Sequence, residues 1–269
     1  MDLRQTPEYA RYMQLLGWSV VRCQLSDVSC QIFIRKLPLL GNIGKLQRPK
    51  GKLDPKKLDE FTKKHGLAAL YIEPSLNTPV KIQNTKYKIH KDCFLPSKTI
   101  QIDLTQPQEK LFNQMKKDAR YAVRFAQKQG VVIKESKDIE TFIKLWQKSA
   151  RSRGMWLPQK REIISLWNAF GPKAHCLVAY FDTPVYPSIP VAGALIVESP
   201  NTAYYMYAFS TREGKKFSAP TLLVWEAMKL AKKKKCKTFD FEGIYDERYP
   251  QKTYTHTYGC IKVGEVGRF

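Results

Sequence analysis

The chain has 269 residues, of which 43% are hydrophobic and 12% aromatic, and this composition excludes a disordered protein and suits one large domain or two small ones. Its charge is unusual, because 46 lysines and arginines against 24 aspartates and glutamates leave a net charge of +22. Such a positive field attracts polyanions, either nucleic acid or an anionic membrane surface, although a basic composition also favours solubility by itself.

The first third of the chain mixes helical and strand patterns. Its predicted elements are a helix at residues 7–16, strands around 20–21 and 30–34, a basic loop at 41–55, a helix at 54–64 and a strand at 67–72. Asp54 can cap the second helix, and Pro55 suits its first position. Prolines and weak periodicity over residues 74–98 predict an irregular connection. We place the domain boundary there, with one lobe at 1–96 and a second at 97–269 whose last strand is free to return to the first lobe.

The rest of the chain continues in the same mixed manner. Its predicted elements are a strand at 98–104, a long helix at 107–129, a strand at 131–134, helices near 138–152 and 158–169, strands at 175–181, 190–198 and 202–209, and a helix leading into a strand within 217–249. Strands mixed with helices, including neighbours that look antiparallel, predict an α/β or α+β fold rather than a bundle or a sandwich.

A basic stripe runs along the long predicted helix. Lys117, Arg120, Arg124 and Lys128 fall on a different face from the apolar residues that keep helical spacing. These cations could contact the phosphates of an anionic substrate, or they could form an ordinary solvated helix face. Both interpretations stay open, with Arg120 and Arg124 as the candidates for substrate binding.

Carboxylates gather where the last predicted strand ends. They are Asp240, Glu242, Asp246 and Glu247. A carboxylate there could accept a proton or orient an incoming ammonium group, and neighbouring acids raise one another's pKa towards the useful range. The competing interpretation is ion pairing with Arg248 or with the lysine-rich end of the preceding helix. The catalytic candidates are Asp240 and Glu242, followed by Asp246.

Five further side chains are candidates for the site. Tyr205 and Tyr207 lie two residues apart and are predicted on one strand face, either as hydrogen-bond donors to a substrate or as core phenols. His256 titrates in a range that suits a catalytic base, although a lone histidine in a terminal segment is often incidental. Arg48 in the basic loop and Lys216 are candidates for contact with an anionic substrate.

The six cysteines show neither a CxxC pair nor metal-ligand spacing with the four histidines, which predicts free thiols in a reducing compartment and no metal site. Residues 1–18 contain no apolar core of signal-peptide length, and no stretch of about 18 uncharged apolar residues occurs. We therefore expect a cytoplasmic protein, with peripheral contact to the inner face of an anionic membrane left open.

Several segments, taken in order, resemble the Fem-type aminoacyltransferases, which add bridge amino acids to peptidoglycan precursors. TPEYARYMQLLGW resembles the opening helix of that family with its Gly-Trp, and KLQRPKG resembles its basic turn. The strongest match is TIQIDLTQPQEKLFNQMKKDARYAVRFAQKQGV, a strand followed by a helix with Arg120 and Arg124. The segment from Tyr204 to Glu247 matches the tyrosine strand, the trailing helix and the Asp-Phe-x-Gly strand end.

The resemblance implies two lobes like those of Gcn5-related N-acetyltransferases, the first one reduced. It implies aminolysis of an aminoacyl-tRNA ester by the amine of a UDP-linked or lipid-linked peptidoglycan precursor, with no cofactor and no metal. It also aligns Asp240 and Glu242 with the family's strand-end motif. Thr255 stands where family members carry a lysine implicated in acyl transfer, or else a short deletion follows His256.

Two other functions remain open at this point. An acyl-CoA-dependent N-acetyltransferase would need a pyrophosphate loop at a helix N-terminus, and residues 212–216 fit only the first half of that motif. A non-catalytic protein that binds RNA or a membrane surface would also explain the charge and the altered C-terminal motif.

Overall fold

The computed structural model of the protein describes residues 2–25, 29–39, 41–51, 53–73, 95–152, 154, 160–183, 186–244 and 246–247. Its helices are α1 Pro7–Leu15, α2 Pro55–Lys64, α3 Gln108–Gln114, α4 Lys117–Lys128, α5 Ile139–Arg151, α6 Lys160–Phe170, α7 Arg212–Lys216 and α8 Ala219–Lys233. Its strands are β1 Ser19–Gln24, β2 Ser29–Leu37, β3 Gly41–Gln47, β4 Leu67–Glu73, β5 Gln101–Asp103, β6 Val131–Ser136, β7 Ala174–Thr183, β8 Tyr186–Glu198, β9 Thr202–Ser210 and β10 Thr238–Asp240.

The chain divides into two compact units, residues 1–97 with 168–170 and residues 98–167 with 171–269. The first unit contains a four-stranded sheet in the order β1-β2-β3-β4, antiparallel except for the parallel pair β3 and β4. Its core includes Ile32, Leu46 and Leu58, each of them fully buried. Helix α2 carries Leu58 into this core, because its hydrophobic residues recur at helical spacing.

The predicted basic loop at 41–55 is wrong in its first half, which forms the central strand β3. Glycine and lysine have low strand propensity, so this segment does not look like a strand in the sequence. Pairing with β2 on one side and with β4 on the other outweighs that low propensity. Gly44 lets the Leu70 and Leu67 side chains approach closely, since a Cβ atom at this position would lie 2.8 Å from the first and 2.9 Å from the second and would force both to shift. The predicted cap of α2 is confirmed, because the Asp54 side chain accepts a hydrogen bond from the backbone N–H of Lys56 at 2.9 Å.

The second unit contains a six-stranded sheet in the order β5-β10-β9-β8-β7-β6. Its strand pairs are antiparallel except β9 and β10, which run parallel because α8 crosses over between them. One face packs against α4 and α8, with Leu223 and Phe239 in the shared core. The other face packs against α5, where Trp146 meets Tyr207 edge to face. The predicted mixed α/β fold with two sheets is confirmed.

The single long helix predicted at 107–129 is two helices. Met115 and Lys116 between them have extended backbones, with ψ of 147° and 148°. Met115 is nevertheless buried in the core, as are Leu111 before the break and Ala119 after it. Helical periodicity on both sides of the break concealed it in the sequence.

Helix α7 was not predicted, because five residues are too few to show a period. The side chain of Thr211 caps it by accepting from the backbone N–H of Gly214 at 3.0 Å. A Cβ atom at Gly214 would lie 2.2 Å from the carbonyl oxygen of Val191, so the helix rests closely on β8.

The expectations of no membrane-spanning helix and of free thiols can be compared with the structure in part. No helix within the described ranges is long and apolar enough to cross a membrane. Four cysteines lie in those ranges and are free thiols, namely Cys23, Cys30, Cys176 and Cys236. Cys93 and Cys260 lie outside the described residues, as does the C-terminal strand predicted to return to the first lobe.

Candidate active site

Asp240, at the end of β10, accepts three hydrogen bonds. Its Oδ1 accepts from the Thr99 hydroxyl at 2.6 Å and from the backbone N–H of Glu242 at 2.7 Å. Its Oδ2 accepts from Nε2 of Gln101 at 2.8 Å. Gln101 reaches it because β5 and β10 are paired with Gln101 directly opposite Asp240. The strand pairing therefore supplies the donors that surround this carboxylate.

These contacts define what Asp240 can do. Asp240 is 5% exposed, and its carboxylate accepts one of these bonds from the backbone N–H of Glu242. Through that bond Asp240 holds the backbone of Glu242, so we regard it as a positioning residue.

Glu242 occupies a strained turn. Its φ of 67° is in the left-handed region, where a non-glycine residue costs of order 1 kcal/mol or more. The turn is closed by a hydrogen bond from the N–H of Gly243 to the carbonyl of Phe241 at 2.7 Å. The side chain is 8% exposed. A buried acid on a backbone that the surroundings hold in a rare conformation is typical of functional sites.

The other predicted carboxylates differ in their surroundings. Asp246 is 7% exposed and is buried like Glu242. Glu247 is exposed and pairs with Lys98 at 2.8 Å, and the hydrogen bond from that lysine lowers the pKa of the glutamate. Ion pairing with Lys98 therefore accounts for Glu247. Arg248 and the predicted base His256 lie outside the described residues.

The prediction that Tyr205 and Tyr207 share one strand face is wrong. A β-bulge lies between them, because Leu195 pairs with Tyr207 while the next residue of β8, Ile196, pairs with Tyr205. Tyr205 therefore packs towards α4 and α8, near Phe239 and Phe241, and Tyr207 packs on the opposite face. Burial raises the pKa of Tyr205 above its ordinary value. Both phenols are buried core residues.

Arg120 and Arg124, predicted together as an exposed pair, have different roles. The Nη1 atom of Arg120 donates to the carbonyl of Asn113 at 2.8 Å and to the carbonyl of Met115. This half-buried guanidinium ties the end of α3 to α4 across the helix break. Arg124 is exposed and lies over the ring of Phe112 at 5.4 Å. Of the two arginines, only Arg124 is exposed like Lys117 and Lys128 on the predicted basic stripe.

This difference leads to a prediction about stability. We expect Arg120→Gln to lower the free energy of unfolding by about 1–3 kcal/mol, because two carbonyls lose a charged donor. The exposed control Arg124→Gln should change it by less than about 0.5 kcal/mol. Urea titration followed by tryptophan fluorescence measures both, and equal stabilities of the two variants would contradict the assignment of Arg120.

The remaining predicted cations lie in separate places. Arg48 is buried in the first unit with a φ of 52°, and its side-chain Nη2 donates to the carbonyl of Pro96. Its backbone N–H donates to the carbonyl of Glu73 at 2.7 Å, so Arg48 is held by main-chain contacts of its own unit. Lys216 is exposed on α7, with its ammonium 5.6 Å from the centre of the Phe217 ring.

Two features of the structure were not among the residues predicted from the sequence. His175 is buried between Glu135 and Glu198, with each ring nitrogen 2.6 Å from one carboxylate oxygen, and these contacts join β6, β7 and β8. Tyr121 is 68% exposed on α4. Its position, four residues before Phe125 on a basic face, was the available signal. No three His, Cys, Asp or Glu side chains group as metal ligands in the part of the chain that the structure describes.

The fold is similar to that of solved proteins. The crystal structure of FemX superimposes with a TM-score of 0.76 at 18% identity, over 95% of this chain and 86% of that one. The C-terminal domain of a putative lysylphosphatidylglycerol synthetase from Agrobacterium fabrum gives a TM-score of 0.56 at 11% identity, over 94% of this chain and 81% of that one. These likenesses show a shared fold.

Sequence comparison gives the family. No curated protein sequence matches the chain. The model of the FemAB family matches residues 87–188 and 185–248, which together make up more than half of the chain. The predicted resemblance to Fem-type transferases is thereby confirmed. The chain belongs to the FemAB family, whose members are transferases that act on peptidoglycan precursors.

Proposed function

We propose that this protein transfers an amino acid from aminoacyl-tRNA to the amine of a peptidoglycan precursor stem peptide. The observation that carries the proposal is the turn at Asp240 and Glu242, which holds a buried carboxylate in a strained conformation at the end of β10. Membership of the FemAB family supports the class of acceptor. The net charge of +22 supports a donor carried on a polyanion.

The chemistry requires a proton acceptor. The acceptor amine arrives as an ammonium and must lose a proton before its lone pair attacks the ester carbonyl. The amide bond forms as the ester bond breaks. Of the two protons that the ammonium loses, one ends on the released ribose hydroxyl and the other passes through the base to solvent. In this proposal the Glu242 carboxylate orients the ammonium and takes its proton. Asp240 keeps Glu242 in place through the 2.7 Å bond to its backbone N–H.

Binding of tRNA should be strongly dependent on salt. If about five phosphates are neutralised, affinity should fall roughly tenfold to a hundredfold between low and near-physiological ionic strength, because counterions are released on binding. Titration of uncharged tRNA by fluorescence anisotropy at two salt concentrations measures this. Flat affinity, or no binding at either concentration, would remove tRNA as the donor carrier.

The reaction itself is tested with labelled aminoacyl-tRNA and two acceptors, a UDP-linked and a lipid-linked precursor, with acetyl-CoA as the competing donor. We expect label to move from tRNA to one of the precursors, and the better acceptor identifies the physiological form. Transfer from acetyl-CoA in place of tRNA would overturn the proposal. Binding of tRNA without transfer to either acceptor would indicate a non-catalytic relative.

The local geometry does not favour the acetyl-CoA alternative. A pyrophosphate loop presents open backbone N–H groups at a helix N-terminus. At α7, however, the N–H of Gly214 is already bonded to Thr211, and the backbone of Gly214 lies against Val191. Helix α7 is also only five residues long.

A further inference from the structure

Two aromatic rings lie on the solvent side of α4. Tyr121 is 68% exposed, and Phe125 one turn later is half-buried. Their ring centroids are 6.0 Å apart and their planes differ by 14°, so the rings are nearly parallel. A single exposed aromatic residue is ordinary, but two neighbouring rings on one helix face offer a ligand adjoining aromatic surfaces. The exposed Tyr121 ring therefore lies open to solvent beside the nearly parallel ring of Phe125.

Cations surround this pair on the same side of the helix. Lys117 precedes Tyr121 by four residues, Arg124 follows it by three, and Lys128 follows Arg124 by four, so all three lie on the face that carries Tyr121. All three are exposed. Residues 117–128 contain a single acid, Asp118. We call Lys117, Tyr121, Arg124, Phe125 and Lys128 the α4 outer face.

We propose that the α4 outer face is a stacking platform for unpaired bases of RNA, such as the single-stranded end of the tRNA donor; the inference rests on the proposed function and names the surface that would serve it. Aromatic rings that take successive bases by stacking, between cations that contact the backbone, are the usual means of binding single strands without sequence preference. Duplex RNA keeps its bases stacked inside the helix and gains only the electrostatic contacts.

A membrane surface would use a different kind of helix. Interfacial helices bury a broad apolar face in the lipid boundary. The aliphatic residues of α4, including Ala119, Val123 and Ala126, are buried in the protein core. The large apolar groups on the outer side are the rings of Tyr121 and Phe125. Two rings give little apolar area for insertion into a lipid surface, but they are enough to stack bases.

The test measures RNA binding by fluorescence anisotropy. The probes are a labelled oligoribonucleotide of mixed sequence that does not pair with itself, and a blunt duplex of the same length. We expect Tyr121→Ala to weaken single-strand binding roughly tenfold, the scale of one lost base stack, and to change duplex binding less than about twofold. Tyr121→Trp should restore single-strand affinity. The salt dependence should stay the same in both, because no cation is removed.

Tyr180 provides a matched control. It lies in β7 between Ala179 and Phe181, which face the α4 side of the sheet, so Tyr180 points to the other side. It also has a cation over its ring, with the Lys134 ammonium at 5.6 Å. Tyr180→Ala should leave single-strand affinity unchanged, and thermal unfolding of each variant checks that it is folded.

Three results would overturn the platform. The first is an affinity of Tyr121→Ala for the single strand within twofold of that of the wild type. The second is an equal loss of affinity for single strand and duplex in Tyr121→Ala. The third is that Tyr121→Ala loses binding to vesicles of anionic phospholipid while it still binds RNA. Each of these leaves tRNA available as donor, so the proposed function would stand. Failure of the unaltered protein to bind any RNA would instead remove both the platform and the proposed donor.

Discussion

Glu242→Gln should lower turnover by about 10²-fold, the usual contribution of a positioned acid or base. Glutamine keeps the shape of the side chain but cannot accept the proton of the attacking ammonium. Affinity for tRNA should change little, because Glu242 is buried and carries no phosphate contact in this scheme. The measurement is kcat for aminoacyl transfer at saturating substrates, together with the Kd for tRNA of the same variant.

Cys236 offers the matched comparison, because it lies two residues before β10. Burial raises the pKa of its thiol to about 11, so the thiol is protonated near neutral pH and is a poor nucleophile. Cys236→Ala should therefore keep most of the turnover. Full activity of Glu242→Gln combined with loss in Cys236→Ala would replace the carboxylate mechanism with a covalent thioester route.

Asp240→Ala should lower the free energy of unfolding by about 3 kcal/mol, since it removes the acceptor of three hydrogen bonds and leaves the buried N–H of Glu242 without it. Turnover should fall as well, because the turn that carries Glu242 loses its anchor. Urea denaturation measures the first effect and the transfer assay the second. A stability equal to that of the unaltered protein would show that the hydrogen bonds to Asp240 contribute nothing.

Asp103 is the control for this change. It lies in β5, which pairs with β10, but it is exposed, and its hydrogen bonds come from Thr105 and Gln106 within its own turn. Asp103→Ala should cost at most about 1 kcal/mol. The near-isosteric Asp240→Asn separates charge from packing: we expect reduced turnover with a smaller loss of stability than in Asp240→Ala. Together with Glu242→Gln, these three variants distinguish Asp240, which holds the turn in place, from Glu242, which takes part in the reaction.

Much of the fold could be predicted where the local sequence pattern agrees with the way an element packs against its neighbours. Helix α2 begins after Asp54, whose side chain accepts from the N–H of Lys56, and it carries its apolar face inward as the periodicity indicates. The helix α8 and the strand β10 that follows it were likewise confirmed, because a 3.6-residue period leading into alternating residues is a local signal. The family, too, was recognisable from ordered motifs in the sequence.

Contacts between distant residues decided the rest. Two of the three donors to Asp240 come from Thr99 and Gln101, about 140 positions earlier in the chain, and only strand pairing brings them together. The bulge in β9 separates Tyr205 from Tyr207, because one unpaired residue reverses the side on which later side chains lie.

The basic helix shows the same division. Residue spacing determined that Lys117, Arg124 and Lys128 share a face, since that follows from 3.6 residues per turn. Only the tertiary structure decided that Arg120 is used to join α3 to α4, because its guanidinium donates to the carbonyls of Asn113 and Met115 at a helix break that the periodicity does not show. Periodicity determines which side chains lie on the same side of an element; packing against other elements decides which of them remain available to bind a substrate.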